Sequence, residues 1–150
     1  MAEGKKFIGL AVAAALFAGC AGSVIAADAA TAISTREAAM KAVAKASITL
    51  RNPASTPADI RAAGKTIGDQ TKIFAANLAK GTGPESGVKT KALPTVWSDP
   101  KGFKAELDKA LAANTALTKV GDDPAAIKAA AKAVTDTCTS CHEKYREKTS

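Results

Sequence analysis

Residues 124–146 read PAAIKAAAKAVTDTCTSCHEKYR, and this stretch decides both the fold and the chemistry that the sequence predicts. It follows Asp123, a capping residue, and opens with a proline at the first helical position, which indicates a helix start. The helical pattern continues through Cys-x-x-Cys-His without a helix-breaking residue. Because positions i, i+3 and i+4 share one face of a helix, Cys138, Cys141 and His142 are predicted to point to the same side.

The Cys-x-x-Cys-His motif is the attachment signature of a c-type haem, in which two thioethers hold the haem and the histidine ligates its iron. His142 is the only histidine of the chain, and Cys20 is the only cysteine outside the motif. A thioredoxin-like redox motif occurs near a βαβ pattern, and this sequence shows no such pattern. A structural zinc site requires four Cys or His ligands, and only three are available here. A disulfide between the motif cysteines stays open but leaves His142 unexplained. The sequence therefore predicts one covalent haem c with its iron.

Caps and periodicity predict three more helices upstream. The first is predicted to begin at Ser34, with Glu37 completing a capping box, and to end near Arg51. The next two begin after Thr56 and Asp99, each followed by proline, and each is predicted to end at a glycine. The four predicted spans are 34–51, 56–81, 99–121 and 123–146. In the last three helices, apolar or small residues recur every three or four positions: Ile60, Gly64, Ile67, Thr71, Phe74 and Leu78; Phe103, Leu107, Ala110, Asn114 and Leu117; Ile127, Ala131, Val134, Cys138, Cys141 and Tyr145.

This spacing, with short connections between most helices, predicts an all-α fold: an antiparallel left-handed four-helix bundle with haem c bound near the C-terminal helix. Residues 28–150 are enough for one such domain. The longer connection at 81–98 holds the only tryptophan, Trp97, and is predicted to cover a cofactor edge or the end of the bundle.

Residues 1–27 have the pattern of a secretory signal peptide: Lys5 and Lys6, an apolar run, and small residues before cleavage near Ala26 or Ala27. Two alternatives stay open, an uncleaved membrane anchor and a lipoprotein box at Cys20. Export predicts a periplasmic location, outside the cytoplasm, which agrees with covalent haem attachment.

The chain has a formal net charge of +7, and loss of the signal leaves it basic. A basic protein is steered toward acidic surfaces, so redox partners with an acidic docking surface are predicted. Nucleic acid is not predicted, because aromatic residues make up 4% of the chain and no binding motif occurs. No enzyme activity is predicted either, because the sequence holds no second histidine and no Gly-rich phosphate loop.

Four stretches of the sequence resemble the cytochrome c′ / cytochrome c556 family. They are Cys138-x-x-Cys141-His142-x-x-Tyr145-Arg146, Arg36-Glu37-Ala38-Ala39-Met40, Trp97-Ser98-Asp99 and Phe103-Lys104. The resemblance implies a periplasmic four-helix bundle, often a homodimer packed through its first two helices. Cytochrome c′ members have a five-coordinate, high-spin haem that binds NO or CO, whereas c556 members have a six-coordinate, low-spin haem that transfers electrons.

The resemblance also implies roles for Met40 and Arg36. Met40 stands where the family has either a bulky distal residue or a methionine ligand, and thioether sulfur is a known axial ligand of haem iron. Our first hypothesis is therefore electron transfer, with His142 as the proximal ligand and Met40 as the distal ligand. The alternative is a vacant distal site that binds NO or CO, with Met40 as a steric gate. Arg36 is predicted to bind a haem propionate, and Arg146 to border the proximal pocket.

Overall fold

The computed structural model describes residues 21–148, with side chains from residue 28 onward. No strand occurs in this range, and the one bridge between extended residues joins Ala92 to Arg146. Residues 21–148 contain no helix that is both long and apolar enough to cross a membrane. The all-α prediction is confirmed. In chain order, the helices are α1 (Ala21–Arg51), α2 (Pro57–Ala76), α3 (Thr95–Ser98), α4 (Pro100–Lys119) and α5 (Pro124–Tyr145).

The predicted starts of α2, α4 and α5 are confirmed, because each rests on a local cap. The Thr56 hydroxyl accepts a hydrogen bond from the N–H of Asp59, and the Asp59 carboxylate accepts one from the N–H of Thr56. Asp99 and Asp123 accept the N–H groups three residues further on. Side-chain caps of this kind satisfy backbone donors that have no partner within the helix.

The predicted start of the first helix at Ser34 is wrong, because α1 already begins at Ala21 and Ser34 lies inside it. Alanine has the highest helix propensity, and the alanine-rich segment 26–32 propagates the helix through the predicted cap. Packing adds to this effect, since Ala29 and Ile33 are buried. Residues 1–20, most of the predicted signal peptide, lie outside the described residues.

The second helix ends at Ala76, and its predicted extension to Gly81 is wrong. The N–H of Asn77 donates to the carbonyl of Phe74, three residues back, and the Asn77 side-chain amide donates to the carbonyl of Ile73. This tighter turn ends the α-helical pattern. The connection that follows also contains a short 3-10 turn, Pro84–Ser86, before α3.

The bundle is assembled by packing α1 on α2, α2 on α4 and α4 on α5, while α1 and α5 contact each other only sparsely. The space between α1 and α5 therefore opens into the interior of the bundle. One core cluster lies at the middle of the bundle (Ile67, Leu117, Ala131 and Val134), and a second lies at the end of α5 (Val96, Phe103 and Tyr145). All residues of the predicted stripes are buried or half-buried.

Candidate haem site

A mostly apolar cavity of about 560 Å³ lies between α1, α2, α4 and α5. This volume falls within the range of ligand and cofactor pockets, roughly 300–1,000 Å³. Its walls carry Val43 from α1, Phe74 from α2, and Phe103 and Leu107 from α4. All five residues that the sequence predicts for haem binding line this one cavity: Arg36, Met40, Cys138, Cys141 and His142.

The attachment motif occupies the penultimate turns of α5. Cys138 and Cys141 are half-buried free thiols, and His142 is exposed. Burial raises the pKa of both thiols, that of Cys141 to about 11, with the nearby Glu106 carboxylate as the second cause. Desolvation by the surrounding protein lowers the pKa of His142, and the charge of Arg146 lowers it further. At neutral pH the thiols are therefore protonated, and the imidazole is neutral and able to ligate a metal.

These donors fit haem c. Two thiols three residues apart suit two thioethers, a neutral imidazole suits iron, and the apolar walls suit the macrocycle. Cationic side chains that a propionate would need also line the cavity: Arg36, Lys41, Arg51, Lys91 and Arg146.

Met40 is half-buried on α1 and lines the cavity from the helix opposite the attachment motif. Ala39, its neighbour, is buried, and Ala44, one turn later, is exposed. These two neighbours are small, and the unbranched side chain of Met40 is itself flexible. The structure thus places Met40 and His142 on two walls of the same cavity.

Arg36 lies one turn before Met40 and is 2% exposed. Its guanidinium donates from Nη1 to the carbonyl of Asn77 and to the hydroxyl of Thr82, each at 2.8 Å. Nη2 donates to the carbonyl of Thr82, also at 2.8 Å, and the guanidinium carbon lies 5.6 Å from the centroid of the Trp97 ring. These bonds engage three of the five N–H donors of the guanidinium. Arg36 therefore secures the connection after α2, a contact that the sequence did not predict.

Trp97 is not among the cavity-lining residues. Its indole N–H lies 3.2 Å from the carbonyls of both Leu78 and Ala79, so the ring lies against the segment that directly follows α2. The cavity is instead bordered by Lys91, Ala92 and Val96 of the same connection. Of the two sequence predictions for Trp97, the cover over the bundle end fits these contacts.

The same connection is tied to the end of α5 by backbone bonds. Leu93 donates to the carbonyl of Tyr145 at 3.0 Å, and Glu147 donates to the carbonyl of Lys91 at 2.8 Å. These bonds fix residues 91–93 beside the motif and explain why they border the cavity.

Glu106 also lines the cavity, although it is not among the site residues predicted from the sequence. Its side chain comes from α4, is 3% exposed, and accepts hydrogen bonds from Ser140 and Lys144 of α5. A signal was present, because Glu106 follows Phe103 by three residues and so lies beside the predicted apolar stripe of its helix. A carboxylate at such a position indicates a buried polar contact.

A four-helix bundle that presents Cys-x-x-Cys-His from its last helix to an apolar cavity defines a class of c-type cytochrome. The family model described as Cytochrome C' matches residues 31–146, and the chain belongs to this family. Family membership confirms the predicted cofactor, covalent haem c with its iron.

Individual relatives agree with this assignment. Cytochrome c' of Rubrivivax gelatinosus is 46% identical over 72 residues, which are 47% of this chain and 56% of that relative. Cytochrome c-556 of Agrobacterium tumefaciens (strain B2A) is 33% identical over 90 residues, which are 59% of this chain and 70% of that protein. The crystal structure of the Rubrivivax gelatinosus cytochrome c' superposes with a TM-score of 0.69 at 31% identity, covering 77% of this chain and 94% of the other.

Proposed function

We propose that the protein is a periplasmic cytochrome c′ with a five-coordinate haem that binds NO or CO, with Met40 as a steric gate. The observation that carries the proposal is the position of Met40 in the cavity of a chain that belongs to the Cytochrome C' family. Binding of a gas at the iron needs an open distal side, and the unbranched methionine side chain can swing aside. We propose no catalytic turnover.

Five residues of the chain have distinct proposed roles in binding the haem. Cys138 and Cys141 anchor it covalently, and His142 is the protein ligand on the proximal side. The bound haem supplies the iron chemistry. Arg36 keeps two N–H donors beyond those that bind Asn77 and Thr82, so it can reach a propionate while it secures the connection. Arg146 adds positive charge beside His142.

Electron transfer with Met40 as the sixth ligand is the second candidate. It is favoured by the likeness to cytochrome c-556, of which the matched segment spans 70%. Ligation by a thioether raises the potential of haem iron and closes the distal site. Under this candidate, the cationic side chains at the cavity would dock an acidic redox partner.

We further propose that residues 1–27 are removed on export, with cleavage near Ala26 or Ala27, so that residues 28–150 form the mature bundle. A second copy of the chain is the proposed partner of α1 and α2. Ile48 on α1 is 60% exposed and Ile73 on α2 is 41% exposed, which leaves apolar surface on both helices that a homodimer would cover.

Optical spectra of the exported holoprotein, ferric and ferrous, with and without CO, test the function. If Met40 is a steric gate, the wild type should have a high-spin spectrum that shifts when CO is added. M40L should leave that spectrum high-spin, and M40A should speed CO binding because the smaller side chain clears the distal side. If Met40 is instead a ligand, the wild type is low-spin without a CO shift, and M40L converts it to high spin. That result would overturn the gas-binding proposal in favour of electron transfer.

A further inference from the structure

The carboxylate of Glu106 joins α4 to the attachment turn of α5. One oxygen accepts from the hydroxyl of Ser140 at 2.9 Å, and the other accepts from Nζ of Lys144 at 2.7 Å and of Lys109 at 3.3 Å. Ser140 lies between the two motif cysteines, and Lys144 lies two residues after His142. The bonds from this single side chain therefore bracket the segment that carries the second cysteine and the histidine.

We propose that Glu106 is a positioning residue that sets the rotation of the α5 attachment turn, so that both thiols and the imidazole face the haem. This inference rests on the proposed attachment of haem to Cys138 and Cys141.

The helical periodicity supports this role. At 3.6 residues per turn, Ser140 and Lys144 share one face of α5, and the motif residues Cys138, Cys141 and His142 share another. A rigid bond on the first face fixes the direction of the second. Functional side chains keep a defined geometry when supporting hydrogen bonds from a neighbouring element fix the helix that carries them.

The charge of Glu106 gives it a second effect on the bound cofactor. A buried anion needs partners, and the hydrogen bond from Lys144 followed by that from Ser140 lowers the pKa of Glu106 to about 2, so it is ionised at neutral pH. An anion in the wall of the cavity favours the ferric over the ferrous state of a bound haem. Removal of this charge would therefore shift the midpoint potential to more positive values.

A second contact should keep variants of Glu106 folded. Asp99 accepts a hydrogen bond from Tyr145 at 2.8 Å, and the ring of Phe103 meets that of Tyr145 edge-on at 5.0 Å. These contacts tie the last residue of α5 to α4 without Glu106. Loss of Glu106 should thus loosen the rotation of the attachment turn without detaching the helix.

The test compares E106Q, E106D and S140A with the wild type, all exported together with haem-attachment machinery. D108N is the matched control, since it removes one charge from an exposed pair with Lys104 on the same helix. The readouts are covalent haem per polypeptide, the midpoint potential of the loaded protein, and far-ultraviolet circular dichroism to verify folding.

We expect E106Q to lose part of the haem-to-protein ratio and to shift the potential upward. S140A should lose part of the ratio with little shift in potential, because the carboxylate stays. E106D should keep the potential near the wild-type value while its shorter reach lowers the ratio, and D108N should match the wild type in both. If the wild type carries covalent haem and E106Q has the same haem-to-protein ratio and the same midpoint potential, this inference is wrong while the proposed function stands. A wild type without covalent haem would overturn the proposed site and the inference with it.

Discussion

The hydroxyl of Tyr145 donates a 2.8 Å hydrogen bond to one carboxylate oxygen of Asp99, while the other oxygen accepts the backbone N–H of Gly102. One carboxylate thus caps the start of α4 and holds the last residue of α5. The α5 end carries the attachment motif, so this contact helps to place His142 relative to the rest of the bundle.

The hydrogen bond between Tyr145 and Asp99 should delay ionisation of the Tyr145 phenol to higher pH, which can be measured. The hydrogen bond to Asp99 and then burial raise the pKa of Tyr145 to about 12, from an ordinary value of 10.0. Because the pKa is raised in the folded state, the stabilisation by the Tyr145–Asp99 hydrogen bond is complete below pH 10 and is lost as the pH rises toward 12. Tyr145 is the only tyrosine, so the tyrosinate absorbance of the wild type minus that of Y145F reports it alone.

Y145F should also lower the melting temperature at pH 7 by a few degrees, and the difference from the wild type should shrink as the pH approaches 12. A tyrosinate midpoint near 10 in the folded holoprotein would contradict the bond.

Glu106 should make the stability of the protein depend on pH in the acid range, where stability is lost as the pH falls. Its pKa is lowered from 4.5 to about 2, chiefly by Lys144, so its stabilisation is present above pH 4.5 and is lost as the pH falls toward 2. We expect the difference in melting temperature between the wild type and E106Q to be largest near neutral pH. It should narrow progressively below pH 4.5. Thermal unfolding of the holoproteins at several pH values measures it, with D108N as the control, and a constant difference across this range would refute the prediction.

Helix starts were predictable from sequence where the cap is a local signal, as at Thr56, Asp99 and Asp123. Ser34 failed because its cap competes with an alanine-rich segment whose helix propensity is high on both sides. The position of Cys138, Cys141 and His142 beside one cavity was predictable, because their spacing puts them on one face of a helix. The α5 partners of Glu106 and the partners of Arg36 were not predictable, because they lie 34 to 46 residues away in the chain and meet only after the helices pack.

Two glycines on one face of α2 make a matched pair for packing. An ideal Cβ at Gly64 would lie 2.9 Å from Cδ2 and 3.1 Å from Cγ of Leu117, which is fully buried. At Gly68 the nearest atom, Cβ of Asn114, would be 3.6 Å away, an ordinary contact. Gly to Ala within a helix gains about 1 kcal/mol in propensity, whereas overpacking of a core costs about 1–3 kcal/mol.

G68A should therefore be more stable by up to about 1 kcal/mol, and G64A less stable by up to about 2 kcal/mol. Denaturant unfolding of both holoproteins gives the two free energies. Equal stabilisation by both substitutions would mean that the Leu117 side chain can shift to admit the methyl group.

Substitution of Arg36 by lysine separates its contact with the chain from its proposed contact with the haem. R36K keeps the charge but loses the fork that binds Asn77 and Thr82, and it leaves the buried carbonyl of Thr82 without its charged donor. An unsatisfied buried polar group costs about 1–3 kcal/mol, and R36K should lose that much stability. Trp97, the only tryptophan, lies against the guanidinium, so its emission should rise and shift to the red as the connection loosens.

The control is K45A, which removes a positive charge from an exposed position of the same helix and should change neither readout. T82V removes one acceptor of Arg36 and should shift the Trp97 emission in the same direction as R36K, but by less. If R36K alters the haem potential while stability and Trp97 emission stay at the wild-type values, Arg36 serves the propionate alone. The connection would then be anchored by the Trp97 hydrogen bonds to Leu78 and Ala79.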